Sequence, residues 1–96
     1  KLRNAIVPDR ATSIANGAFF GCISLVSIVI QKSVTSIGTI AFLGCINLTS
    51  ITIPSSVTAI GEGTFLNCNA LTEIKGVKGS FAETWAKENG YTFIVQ

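Results

Sequence analysis

Written in rows of 23, the sequence falls into columns. Leu2, Leu25, Leu48 and Leu71 align, as do Ala5, Ile28, Ile51 and Ile74, and then Val7, Ile30 and Ile53. Further along come Ile14, Ile37 and Ile60, then Phe19, Phe42 and Phe65, then Cys22, Cys45 and Cys68. Polar positions repeat too: Thr12, Thr35 and Thr58, and Gly38 with Gly61. So many matches at one period in 96 residues define a repeat array. One short coil cannot bury its own apolar face, whereas stacked neighbours can, so the fold class is a repeat solenoid with a one-dimensional core.

The strand segments explain the period. Leu25-x-x-Ile28-x-Ile30 and Leu48-x-x-Ile51-x-Ile53 share the L-x-x-L-x-L spacing of leucine-rich repeats. Alternation places Ile28 and Ile30 inward and Val29 outward on a short strand. Pro8 and Pro54 end their strands, because proline has no N–H for the ladder. A second short extended segment is expected around Val57-Thr58-Ala59-Ile60-Gly61. A tight turn at the glycine and a short helical turn near Ala41-Phe42 should then return the chain. The architecture predicted is a right-handed β-solenoid of the leucine-rich-repeat type, with short parallel strands and short helical turns.

The repeats occupy residues 1–78, about three and a half units, and residues 79–96 break the period. Ser80-x-x-Glu83 is a capping box that opens a helix, and Asn89-Gly90 stops it. Phe81 and Trp85 are placed four apart on one face, with Ala82 and Ala86 beside them. Tyr91, Phe93 and Val95 alternate as a final strand. This helix-strand piece is expected to cover the open end of the solenoid. The amino end shows no such unit, so further repeats or another domain are expected before Lys1. Its first strand would be an open edge suited to self-association.

Composition excludes several function classes. Charged residues make up 12 % of the chain, and between Ala11 and Thr72 only Lys32 and Glu62 are ionised. A net charge of +2 without a basic run gives no surface for nucleic acid. Every apolar stretch falls short of the ~18 residues of a membrane span, so no membrane insertion is expected. With no histidine, neither a Ser-His-Asp nor a Cys-His arrangement can be assembled. The carboxylates Asp9, Glu62, Glu73, Glu83 and Glu88 are scattered, so no enzyme activity and no cofactor are expected. The three cysteines stand 23 apart, matching the repeat and not the spacing of zinc ligands. Their side chains should point the same way and form a buried reduced ladder. Asn47-Leu48-Thr49 reads as an accidental sequon, and Gly61-Glu62-Gly63 as a turn and not a phosphate loop.

The run Leu48-Thr49-Ser50-Ile51-Thr52-Ile53-Pro54-Ser55-Ser56-Val57-Thr58-Ala59-Ile60-Gly61, followed by Thr64-Phe65 and Cys68, resembles the BspA-like leucine-rich repeat. The tail Gly79-Ser80-Phe81-Ala82-Glu83-Thr84-Trp85-Ala86-Lys87-Glu88-Asn89-Gly90 resembles the closing unit of that family. The first rung departs from the pattern: Val7-Pro8-Asp9-Arg10-Ala11 is a loose version, and Ala15 replaces the turn glycine. The resemblance implies a modular array at the bacterial cell surface, in some members an adhesin for matrix or plasma proteins such as fibronectin and fibrinogen.

Two surfaces are candidates for contact. The outward positions of the strand ladder read Asn4 and Ile6, Ser27 and Val29, Ser50 and Thr52, Glu73 and Lys75: flat, neutral and rich in hydroxyls. The second is an apolar column set, Phe20, Leu43 and Leu66 with Ile23 and Ile46, at positions that are mostly polar or variable in the resembling family. Either these residues are partly buried within the turn or they form an exposed patch for another chain. The leading expectation is a non-catalytic module that binds an extracellular or cell-surface protein. The alternative is a structural spacer that positions another domain of a larger surface protein.

Overall fold

The computed structural model describes the backbone of residues 4–6 and all of residues 10–96. Two parallel sheets run along the solenoid. The main sheet takes one strand from each rung: β1 (Asn4–Ile6), β3 (Ser27–Val29), β5 (Ser50–Ile53) and β7 (Glu73–Gly76). The second takes β2 (Ser13–Ile14), β4 (Ser36–Ile37) and β6 (Ala59–Ile60). Register follows the sequence columns: Ser27 pairs with Ser50 and Ile28 with Ile51, while Ser36 pairs with Ala59 and Ile37 with Ile60. This is a parallel β-solenoid of about four turns, as the periodicity predicts.

Column residues fill the core. Leu25, Leu48, Ile28, Ile51, Ile74, Ile53, Val34, Val57 and Phe42 are all fully or almost fully buried. Phe19 stacks on Phe42 with centroids 5.2 Å apart and rings 3° from parallel, and Phe42 stacks on Phe65 at 5.5 Å. The threonine columns have a separate task. Thr35 Oγ1 donates to Thr12 O at 3.1 Å and Thr49 Oγ1 to Val26 O at 3.2 Å, one rung back in each case. Such hydroxyls add side-chain bonds to the backbone ladder and favour one register.

The return path differs from a helical turn. It is a chain of single i to i+3 turns, such as Leu43 N to Ile40 O and Cys45 N to Phe42 O. Left-handed residues stand at the same two places in every rung: Gly17, Ile40 and Gly63, then Gly21, Gly44 and Asn67. These reversals prevent the turns from joining into a helix. Gly38 and Gly61, read from sequence as turn glycines, are not left-handed. Their column needs glycine because two backbones meet there: a Cβ on Gly38 would lie 2.6 Å from Asn16 N.

Ile40 is the exception in its column, with φ of 51° where Gly17 and Gly63 are glycine. A β-branched side chain in this region carries a cost of about 1–2 kcal/mol. Glycine would remove it while adding about 0.5–1 kcal/mol of unfolded-state entropy. Ile40→Gly is therefore expected to leave stability unchanged or raise it by up to about 1 kcal/mol, although it deletes an isoleucine. A drop of more than about 1 kcal/mol in urea unfolding would show that Ile40 contributes packing that outweighs its backbone strain.

The cap closes the carboxyl end. Helix α1 (Phe81–Glu88) starts at Ser80, whose Oγ accepts from Glu83 N at 3.4 Å. Glu83 Oε1 accepts from Gly79 N at 2.7 Å, and Oε2 meets Lys87 Nζ at 2.9 Å. The bond from Gly79, aided by Lys87, holds the Glu83 carboxyl below the usual range. At the far end Gly90 is left-handed, and Tyr91 N donates to Ala86 O at 2.9 Å, closing a Schellman motif. The helix buries Ala82 and Ala86, while Phe81 and Trp85 flank that face. Strand β8 (Thr92–Val95) then adds to β7 in parallel, with Phe93 beside Ile74. Of the expected alternation, Tyr91 and Phe93 pack on the core and Val95 is exposed.

Candidate binding surfaces

The main sheet presents its outward residues as two rows. Ser27, Ser50 and Glu73 lie in register in one, and Val29, Thr52 and Lys75 in the other. Val29 is exposed, and the remaining five are partly covered by their neighbours. Side chains of this size, aligned across strands ~4.8 Å apart, shield one another. The rows also extend further than the sequence predicts. Strand β8 places Thr92 beside Glu73 and Ile94 beside Lys75. Ile94 was not legible as a surface residue, because its place depends on the register of β8 against β7. Asn4 and Ile6, the outward positions of the first rung, lie outside the described side chains.

The apolar column set is on the outside of the turns. Phe20 is 62 % exposed, Ile23 53 %, Ile46 45 % and Leu66 57 %; Leu43, flanked by Phe20 and Leu66 on the adjacent rungs, is half-buried. The left-handed residues explain the placement. They bracket each outer turn so that Phe19, Phe42 and Phe65 point into the core and the next residue points away. Adjacent rungs are held together here by Gly21 N to Leu43 O at 2.8 Å and Gly44 N to Leu66 O at 3.0 Å. Of the two readings open from sequence, the exposed one describes four of the five side chains. A cleft of about 450 Å³ opens beside Ile23, between Ser24, Val26 and Asn47. The Asn47 amide donates to Ile23 O, which gives it a structural role at this position.

A third feature lies at the junction of the last outer turn and the cap. Gly63 to Asn69, together with Trp85, Asn89 and Tyr91, line a cleft of about 310 Å³. Trp85 and Tyr91 stack on each other at 5.7 Å, and both meet Phe65 edge-on. They close the phenylalanine stack where a further phenylalanine would otherwise follow. The sequence signal for this cleft is the broken period: after Leu71 no segment supplies another outer turn.

The three cysteines are free thiols in one column of the repeat, and the expected burial holds for two of them. Cys45 and Cys68 are buried and Cys22 is half-buried. Each buried thiol donates to a carbonyl of the preceding rung, Cys45 Sγ to Phe19 O at 3.0 Å and Cys68 Sγ to Phe42 O at 2.9 Å. Burial pushes the Cys45 thiol up to about 11 and raises that of Cys68, so neither is a ready nucleophile or metal ligand. Among the described residues no three His, Cys, Asp or Glu side chains cluster as a metal site, and no helix is long and apolar enough to cross a membrane.

Comparison with known proteins gives one match. A family model, the BspA type leucine rich repeat region (six copies), matches residues 1–83. No curated protein and no solved structure gives a significant match. The match covers most of the chain and spans strands β1 to β7 of the solenoid. The chain belongs to the BspA-type leucine-rich repeat family.

Proposed function

We propose that this chain is a non-catalytic protein-binding module of a bacterial cell-surface protein, and that the outer-turn apolar stripe is its main contact surface. The observation that carries the reading is the exposure of Phe20, Ile23, Ile46 and Leu66 at positions repeated along the solenoid axis. Single exposed apolar residues are ordinary, but a contiguous row recurring on successive rungs is characteristic of an interaction site. Repeat arrays present such rows along an extended surface suited to a protein partner. BspA-type repeats occur in bacterial surface proteins, which supports testing an extracellular matrix, plasma or other surface protein first. Adhesion is the corresponding biological role.

The main-sheet face is the second candidate surface, favoured by its flatness and neutrality. Short hydroxyl side chains give complementarity but few of the large anchors that dominate binding energy. The experiment is saturable binding of the chain to immobilised fibronectin, fibrinogen and related matrix proteins. Phe20→Lys with Leu66→Lys is expected to weaken binding about tenfold or more, since each removes an exposed anchor without touching the core. Ser50→Lys with Thr52→Lys is expected to change it less than threefold. The reverse order of effects would transfer the contact to the sheet face. No binding of the wild-type chain to any of these proteins would instead favour a spacer role.

A further inference from the structure

We propose that the cleft beneath the last outer turn binds an extended peptide segment of a partner protein through a row of three unpaired backbone N–H groups. The row is visible by comparison with the rungs above it. In the first rung Gly17, Phe19 and Gly21 donate to the carbonyls of Thr39, Ala41 and Leu43 at 3.1, 2.7 and 2.8 Å. In the second, Ile40, Phe42 and Gly44 donate to those of Glu62, Thr64 and Leu66 at 3.0, 2.9 and 3.0 Å. The equivalent donors of the third rung are Gly63, Phe65 and Asn67. Among the described residues they have no acceptor. The cap continues only the main sheet, where β8 pairs with β7; the second sheet ends at β6 with no further strand. Backbone donors left in this way need an external acceptor, either water or another chain.

The geometry selects the kind of acceptor. In both upper rungs the three donors reach three separate carbonyls spaced two residues apart, so they run parallel and do not converge. A compact anion could satisfy one of them, whereas a peptide offering every second carbonyl satisfies all three, as in strand addition to a sheet edge. The molecule itself shows the complementary segments in residues 39–43 and 62–66. Space for one more is present, since Gly63, Phe65 and Asn67 line the 310 Å³ cleft. The floor sets a sequence requirement. Trp85 and Tyr91 stand against Phe65 where the next inward ring of the stack would lie. The segment must therefore carry a small residue, glycine or alanine, at its inward position, with that residue resting on the aromatic pair. Asn89 also lines the cleft; its Nδ2 donates to Trp85 O at 2.8 Å, which leaves its Oδ1 to accept a further backbone N–H. This site is separate from the Phe20 end of the apolar stripe and does not depend on that stripe binding a protein.

A direct test uses amide hydrogen exchange and backbone amide shifts on the 96-residue chain. The probe is a synthetic peptide copying residues 38–47, with Phe42→Ala to clear the aromatic floor and Cys45→Ser to prevent oxidation. In the free protein the amides of Gly63, Phe65 and Asn67 are expected to exchange at least a hundredfold faster than those of Ile40, Phe42 and Gly44. Peptide addition should slow the first three at least tenfold and shift their signals, and should change the emission of Trp85, the one tryptophan of the chain. Asn69→Phe, which adds a ring to the cleft lining from an exposed position, should weaken the peptide tenfold, and Val77→Lys, exposed and outside the cleft lining, should leave it unchanged. Three results would overturn the proposal. One is protection of the third-rung donors in the free protein equal to that of the second. Another is a millimolar peptide that leaves the third-rung donors unaffected, whether it binds on the outer stripe or not at all. The third is protection that rises with protein concentration alone, which assigns the edge to a second copy of this chain.

Discussion

Replacing Phe42 by alanine is expected to lower the unfolding free energy by about 4 kcal/mol, within the usual range for deleting a buried aromatic ring. For a chain of this length the whole stability is of order 5–14 kcal/mol, so the loss is a large fraction of it. Two features make this position the worst place to open a cavity. The side chain is fully buried, and its ring is the middle member of a three-ring stack, held by Phe19 on one side and Phe65 on the other. A solenoid derives its cohesion from interfaces between neighbouring rungs, and this deletion weakens two of them at once. Phe19 provides the internal comparison. It is only half-buried and stacks on one described ring, so Phe19→Ala should cost about half as much. Urea unfolding followed by far-UV circular dichroism measures both. Equal losses for the two variants, or a loss below about 1 kcal/mol at Phe42, would show that the aromatic stack is not the spine of the fold.

The Phe42 prediction rests on a column visible in the sequence, and most of the fold shares that origin. A 23-residue offset aligns Ser27 with Ser50 and Ile37 with Ile60, and the same pairs are in register in the two sheets. Stacked identical side chains give each column one environment, so one reading of a column serves every rung. The cap was legible for a different reason: its stop and start signals are local, from the Ser80 hydroxyl to the left-handed Gly90. Features that depend on how two backbones approach were not legible. Gly38 and Gly61 read as turn residues because a glycine column ordinarily signals positive φ, whereas here it signals proximity. The left-handed column containing Ile40 was hidden by its isoleucine.

The surfaces divide in the same way. Positions of Ser27, Val29, Ser50, Thr52, Glu73 and Lys75 follow from strand alternation alone. Whether Phe20, Ile23, Leu43, Ile46 and Leu66 face inward or outward depends on the turn conformation, which periodicity does not specify. The unpaired donors of Gly63, Phe65 and Asn67 are a property of what is absent beneath them. No residue type in that segment marks it; only the end of the repeat at the cap does.

The glycine column gives the second large effect. Gly61→Ala is expected to destabilise the chain by about 3 kcal/mol, at the upper end for overpacking by a single methyl. An ideal Cβ at this position would lie 2.5 Å from Thr39 N and 2.7 Å from both Gly38 C and Thr39 Cα. All three are backbone atoms, so no rotamer change can relieve the overlap. The rungs would have to separate, yet they are tied at this point by Gly61 N to Ile37 O at 2.8 Å and Thr58 N to Thr35 O at 2.9 Å. Thr64 Oγ1 adds bonds to Gly38 O and Gly61 O on the two rungs. Movement that makes room for the methyl therefore stretches several hydrogen bonds together. Gly79→Ala serves as the control. It has positive φ but nothing within 4 Å of the added carbon, so it should cost only the backbone strain of about 1–2 kcal/mol. If Gly61→Ala proves milder than Gly79→Ala in chemical denaturation, the column is conformational after all. If it is harsher, close rung spacing is what this position protects. The same reasoning accounts for Ala15, the one member of the column that carries a methyl: the column's Cβ positions point toward the preceding rung, and on that side of the exposed Ala15 no rung is described.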